Sequence, residues 1–177
     1  IQVVEAQKFH LGVMTGINVS TIAGDAVGFG YKPGLHAGIL GDYRVSGNIN
    51  FQPEIYFSQQ GALASANKNL RTKYDYIQVP LTLKLFITEV FFFQGGPQFG
   101  YLISAKSKEG DATQNIRDQL NKYDMALGMG FGYRFDWDLQ FSFRYNIGIT
   151  STSKIPGQSN LYFPNQVLQA SVSYFII

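Results

Sequence analysis

The segment from Trp137 to Thr150 reads WDLQFSFRYNIGIT. From Leu139 onward every odd position is large and apolar (Leu139, Phe141, Phe143, Tyr145, Ile147, Ile149), and every even position is polar or glycine (Gln140, Ser142, Arg144, Asn146, Gly148, Thr150). Side chains alternate across a strand with period two, whereas a helix would scatter these residues around its whole circumference. The segment is a strand with one apolar and one polar face. What the apolar face touches decides the class of the protein.

The chain around it has 177 residues, the size of one domain with its own core. An aromatic content of 15% together with 19 glycines points to an all-β chain with a tightly packed interior. A net charge of +2, with no basic run interleaved with aromatics, argues against a nucleic-acid partner. Without cysteine there is neither a disulfide framework nor thiolate chemistry, which leaves the compartment open. No apolar run approaches the ~18 residues of a membrane-spanning helix, but barrels cross membranes with alternating strands of about ten residues.

The alternation recurs eight times, predicting strands near 9–22, 32–45, 49–62, 73–87, 90–106, 122–135, 139–150 and 164–177. Residues 1–8 form an N-terminal segment in which Val4-Glu5-Ala6 has the small-residue pattern of a signal-peptide cleavage region; residues 9–177 form the barrel domain. The connections alternate in length. Short turns at 46–48, 88–89 and 136–138 lie at one end, and long loops at 23–31, 63–72, 107–121 and 152–163 lie at the other. This predicts an eight-stranded antiparallel up-and-down transmembrane β-barrel of the bacterial outer membrane, with periplasmic termini and extracellular long loops.

The rival is a soluble barrel of the lipocalin type with its apolar face inside. An eight-stranded lumen is only just wide enough for its side chains and cannot hold the large residues of all eight apolar faces. The glycines also travel with the polar set (Gly12, Gly16, Gly38, Gly96, Gly100, Gly128, Gly130, Gly132, Gly148), as expected where space is tight. The apolar face is therefore expected outward, against lipid, with a polar and glycine-lined lumen. Tyr43, Phe51, Phe91, Phe93, Tyr133, Phe135, Trp137 and Tyr174 fall near the short-turn ends, and Phe57, Tyr101, Tyr123 and Phe163 near the long-loop ends. Two such girdles are expected where rings meet the headgroups.

Pro53, Pro80 and Pro97 lie inside predicted strands, where each removes a ladder donor; β-bulges are the expected accommodation. The segments around them, FQPEIYFSQQGA (51–62), YDYIQVPLTLKLF (74–86) and GGPQFGYLISAK (95–106), resemble the PorT-like outer-membrane β-barrel family. GVMTGINVS (12–20) and RYNIGIT (144–150) look like that family's first and seventh strands. The resemblance covers nearly the whole chain and implies an eight-stranded outer-membrane barrel of the Bacteroidota type. The namesake belongs to a Bacteroidota protein-secretion and gliding system, so the resemblance further implies a role in envelope machinery.

The ionisable residues expected on the inward face are His10, His36, Asp42, Arg44, Glu54, Lys84, Asp124, Arg134 and Arg144. In a narrow lumen they must pair, because an unpaired buried charge is costly. The reading is an internal charge network that plugs the barrel; a proton or ion path through it is the sharper alternative. His10 and His36 are the only histidines and lack HxH or HxxxH spacing, so no metal site is expected, and no cofactor. A Ser-His-acid site has no nucleophile-elbow motif behind it, and the glycines of 128–132 are strand glycines with no helix following, not a phosphate loop.

The loops are the other functional surface. Lys68, Arg71 and Lys73 make one basic, and Lys106, Lys108, Glu109, Asp111, Arg117, Asp118 and Lys122 make the longest one mixed in charge. Lipopolysaccharide phosphates, or other outer-membrane or periplasmic proteins, are the partners such loops could contact. The functional expectation is a non-enzymatic interaction or structural subunit of an envelope or secretion assembly. Alternatives are a free-standing surface barrel with an adhesive or structural role, and a lipid-modifying outer-membrane enzyme.

Overall fold

The computed structural model describes residues 9–23, 29–64, 70–109, 112–151 and 164–176. The N-terminal segment 1–8, Lys68, Asp111 and the whole of the loop 152–163, Phe163 included, lie outside the described residues. Eight long strands form the wall: β1 Phe9–Ile22, β2 Lys32–Ser46, β3 Ile49–Ala64, β4 Leu70–Phe86, β5 Phe91–Glu109, β6 Tyr123–Arg134, β7 Leu139–Ser151 and β8 Pro164–Phe175. Each pairs antiparallel with its sequence neighbour. β8 then pairs antiparallel with β1, from Gly12 opposite Phe175 to Ile22 opposite Asn165, which closes the barrel. Closure removes the free edge that would otherwise template aggregation.

The period-two pattern is satisfied with the apolar side out. Ile17, Leu35, Ile39, Phe93, Phe143 and Leu168 each leave about half of their surface open, between 49 and 61%. Their polar neighbours Asn18, Gln52, Gln78, Lys84, Gln140 and Asn146 are buried. A soluble barrel would have the opposite arrangement, since so large an apolar exterior would associate in water.

The inner wall depends on glycine where strands come closest. A Cβ on Gly130 would stand 1.9 Å from the carbonyl oxygen of Phe143, and one on Gly16 would stand 2.1 Å from that of Ala170 and 2.6 Å from the His36 ring.

In three respects the structure departs from the sequence-based expectation. First, the prolines do not sit at bulges. The β2–β3 ladder keeps one register from Leu40–Glu54 to Tyr43–Phe51, β3–β4 from Pro53–Leu81 to Tyr56–Gln78, and β4–β5 from Pro80–Gln98 to Leu83–Gly95. Each proline falls in a two-residue lapse of pairing toward the preceding strand, so its missing N–H faces a gap in an unshifted ladder. The register shifts lie elsewhere, at Arg44/Ser46, Asp75/Tyr76 and Pro164/Gln166.

Second, the lumen is not only polar and glycine. Met14, Leu40, Tyr56 and Phe175 form one buried cluster; Tyr74, Tyr76, Leu102 and Ala105 form another, with Ile22, Ile116 and Leu120 packed on it. Third, the stretch 107–121 is not a plain loop. β5 runs on to Glu109, and Ala112–Asn115 returns along it, with Lys106 opposite Asn115 and Lys108 opposite Thr113, before a short 3₁₀ turn at Arg117–Gln119.

Candidate functional site

The inward residues of β2–β7 meet across the lumen in one continuous hydrogen-bonded column. At its base, Arg134 Nη2 donates to Asp42 Oδ2 and, at 3.2 Å, to Gln140 Oε1. Asn50 Nδ2 donates to both Asp42 oxygens at 3.2 and 3.1 Å. Gln140 Oε1 also accepts from Lys84 Nζ at 2.6 Å, and Lys84 donates onward to Gln52 Oε1. Gln52 Nε2 donates to Glu54 Oε1 at 2.6 Å. Glu54 is then held by both ends of the Arg144 guanidinium, Nη1 to Oε2 at 3.0 Å and Nη2 to Oε1 at 2.6 Å.

Two carboxylates and three cations thus alternate through two bridging glutamines. A buried charge persists only where its partners replace lost hydration. Aromatic faces add to this: Lys84 Nζ lies 4.7 Å from the Phe92 ring centre, and Arg134 Cζ lies 4.4 Å from that of Phe175.

Above the charges the column turns neutral. Tyr56 Oη donates to Gln98 Oε1 at 2.9 Å and lies 3.2 Å from Gln169 Oε1, and Asn146 Nδ2 donates to Gln169 Oε1 at 2.6 Å. His36 belongs to this layer. Its Nδ1 contacts Asn18 Oδ1 at 2.7 Å and its Nε2 contacts Ser171 Oγ at 2.8 Å. Ser171, His36 and Asn18 have the spacing of a nucleophile, a base and its orienting group. All three are buried, and Asn18 Nδ2 donates further to Ser58 Oγ at 2.9 Å and to the carbonyls of Leu35 and Gln59 at 3.4 and 3.2 Å. The arrangement is a packed hydrogen-bond relay.

Of the nine inward ionisable residues, Asp42, Glu54, Lys84, Arg134 and Arg144 come together in the column. Asp124 stands apart toward the long-loop end, accepting from Thr150 Oγ1 at 2.8 Å with no cation at ion-pair distance among the described residues. Arg44 is exposed at the short-turn mouth, where Nε and Nη2 donate to the Gly47 carbonyl at 3.2 and 2.8 Å. His10 is half-buried with its ring edge-on to Phe175. Both line an open cavity of about 720 Å³ with Asn50, Phe86, Glu89 and Arg134. The expected network of nine is therefore a network of five, with His10, Arg44 and Asp124 at its two ends and His36 bonded only to neutral groups.

Sequence reasoning also missed the inward aromatics. Tyr74, Tyr76, Phe92 and Phe175 share the parity of the polar set, which is the sequence signal that could have placed them in the lumen against their hydrophobicity. Among the described residues no three His, Asp or Glu side chains are grouped to hold a metal ion.

On the outer surface the rings at the short-turn end meet one another: Phe91 edge-on to Phe93 at 5.3 Å, Tyr133 tilted against Phe135 at 4.7 Å, Phe135 edge-on to Trp137 at 5.7 Å. In register, Tyr43 stands between Phe9 and Phe51, and Tyr174 stands opposite Leu139. At the long-loop end Tyr101 and Tyr123 meet at 5.5 Å, and Arg117 Nη2 donates to Tyr101 Oη at 3.3 Å.

A family model described as an outer membrane protein beta-barrel domain matches residues 5–154. A search of curated proteins finds no match. Among solved structures, Neisserial surface protein A has a TM-score of 0.61 at 14% identity, covering 94% of this chain and 97% of that one. Ail, the attachment invasion locus protein of Yersinia pestis, has a TM-score of 0.56 at 15% identity, covering 96% and 99%. The complex of Ail with the heparin analogue sucrose octasulfate matches with a TM-score of 0.56 at 14% identity, covering 96% and 99%. At these identities the likeness is one of fold.

Proposed function

The chain belongs to the outer-membrane β-barrel domain family, and on that premise we propose that it is a plugged, non-enzymatic barrel working through its surfaces, as an interaction or structural subunit of an envelope or secretion assembly. The observation that carries this reading is the closed lumen. The Asp42–Arg134–Gln140–Lys84–Gln52–Glu54–Arg144 column crosses the lumen, and this supports a reading in which function lies at the rim and the lipid-facing wall. The PorT-like motifs around Pro53, Pro80 and Pro97 support the assembly role. Periplasmic termini and extracellular long loops complete the orientation.

A second reading, a free-standing surface barrel with an adhesive or structural role, draws on the shared fold with Ail, whose name is that of an attachment and invasion protein.

Gentle detergent extraction from native outer membrane, followed by size analysis and identification of co-purifying proteins, separates the two. A stoichiometric partner is the expected result. A barrel that extracts alone, with no stoichiometric partner, overturns the subunit reading in favour of the free-standing one.

A further inference from the structure

The register shift between Asp75 and Tyr76 has a consequence for charge. Below it, Tyr76 pairs with Leu102 and Ile77 with Tyr101; above it, Asp75 pairs with Ser104 and Tyr74 with Ala105. One extra residue is thereby inserted in β5, and its inside-outside parity reverses. Without the insertion Lys106 and Lys108 would follow Gly100 and Leu102 into the lumen. With it, both become exposed on the outer wall. Bulges commonly serve to re-aim side chains in this way.

The re-aimed lysines arrive opposite two more cations. Lys73 is the register partner of Lys106, and Arg71 is the register partner of Lys108. All four are exposed. Their outer neighbours in register carry no charge: Gly61 and Asn115 flank one rung, Leu63 and Thr113 the other. Directly opposed like charges on a sheet are destabilising, so two successive like-charged rungs are a cost the fold carries. The acids nearby are Asp75, whose Oδ1 lies 3.6 Å from Lys73 Nζ, and Glu109 at the end of β5. Among the described residues these two acids are fewer than the four cations. The rungs are about 7 Å apart along the strands. Immediately below them the wall becomes apolar and aromatic with Ile103, Tyr101 and Tyr123, and Arg117 Cζ lies 6.0 Å from the Tyr101 ring centre.

We propose that Arg71, Lys73, Lys106 and Lys108 form a binding site for the phosphates of an outer-leaflet phosphorylated glycolipid, whose acyl chains lie along the apolar wall beneath. Cations over an apolar face match the two ends of such a lipid, and two rungs suit two phosphate groups. The site rests on the reading that the long-loop end faces the outer leaflet.

The test is native mass spectrometry of the detergent-solubilised full chain, titrated with lipid A carrying both phosphates, with dephosphorylated lipid A, with inorganic phosphate and with a sulfated polysaccharide. The expected result is at least tenfold tighter binding of the phosphorylated lipid. That preference is lost in Lys106→Gln/Lys108→Gln and in Arg71→Gln/Lys73→Gln, kept in Lys106→Arg, and kept in Arg44→Gln at the opposite mouth. Equal binding of the two lipids, competition by inorganic phosphate at equal concentration, or preferential binding of a sulfated polysaccharide to the same four residues overturns the proposal. Thiol labelling of Thr113→Cys on intact cells tests the orientation separately. Labelling without phosphate preference sinks the site alone, whereas preference in detergent without labelling overturns the outer-leaflet assignment.

Discussion

Arg144 on β7 holds Glu54 on β3 through two parallel hydrogen bonds of 3.0 and 2.6 Å, and these strands are not neighbours in the wall. The pair spans the lumen, so the barrel is braced from inside as well as by its ladder. Bidentate geometry and near-complete burial make it a strong contact.

Removing one partner leaves the other charge buried and uncompensated. Glu54→Gln and Arg144→Met are each expected to destabilise the barrel by about 3–5 kcal/mol, and the double replacement by much less than the sum of the two. Denaturant unfolding in lipid vesicles measures all three. Additive losses would mean that the two side chains do not act as a pair.

The plug also predicts electrical silence. Gln52, Tyr56, Lys84 and Gln140 are all less than 3% exposed, and together they close the column. The protein inserted in planar bilayers should show no steady ion conductance. A stable single-channel current would mean that the column opens.

Glycine placement can be tested by contrast. Gly130→Ala would drive a methyl into the Phe143 carbonyl and is expected to cost at least the 1–3 kcal/mol of an overpacked site, or to prevent assembly. Gly47→Ala, at a turn where nothing lies within 4 Å, should be close to neutral. Heat-modifiability on gels and unfolding in lipid report both.

The Ser171–His36–Asn18 relay should respond as structure, not as catalysis. Ser171→Ala removes one neutral hydrogen bond and is expected to cost about 1 kcal/mol of stability. Any ester hydrolysis by the purified protein should be the same before and after the change. A loss of hydrolysis on Ser171→Ala would make the relay an active site.

The strands and their sidedness were legible because period two is a local property. β1 needed only the alternation of Phe9, Leu11 and Val13 with His10 and Gly12 to be placed at its observed bounds. The site was less legible for two reasons. Alternation assigns a face but not a depth, so Arg44 and Asp124 were grouped with Glu54 although they lie at the two ends of the lumen. Hydrophobicity also competes with parity. Phe92 and Phe175 look like lipid-facing rings, yet they point inward, each offering its ring to a cation, Lys84 and Arg134 respectively. The outward turn of Lys106 and Lys108 depends on a single inserted residue in β5, and no composition rule marks where that insertion falls. The prolines misled in the opposite sense: a lapse of two pairs absorbs each lost donor with no change of register.

The account stands or falls on which side of the wall meets lipid. Single cysteines at Phe141 and Phe143 on the outer face of β7, and at Thr113 on the rim, can be challenged in native outer membranes with a membrane-impermeant thiol reagent. The two wall positions should stay unlabelled while Thr113→Cys reacts readily. Labelling of both wall positions as fast as the rim would place the apolar face in water and contradict the membrane barrel.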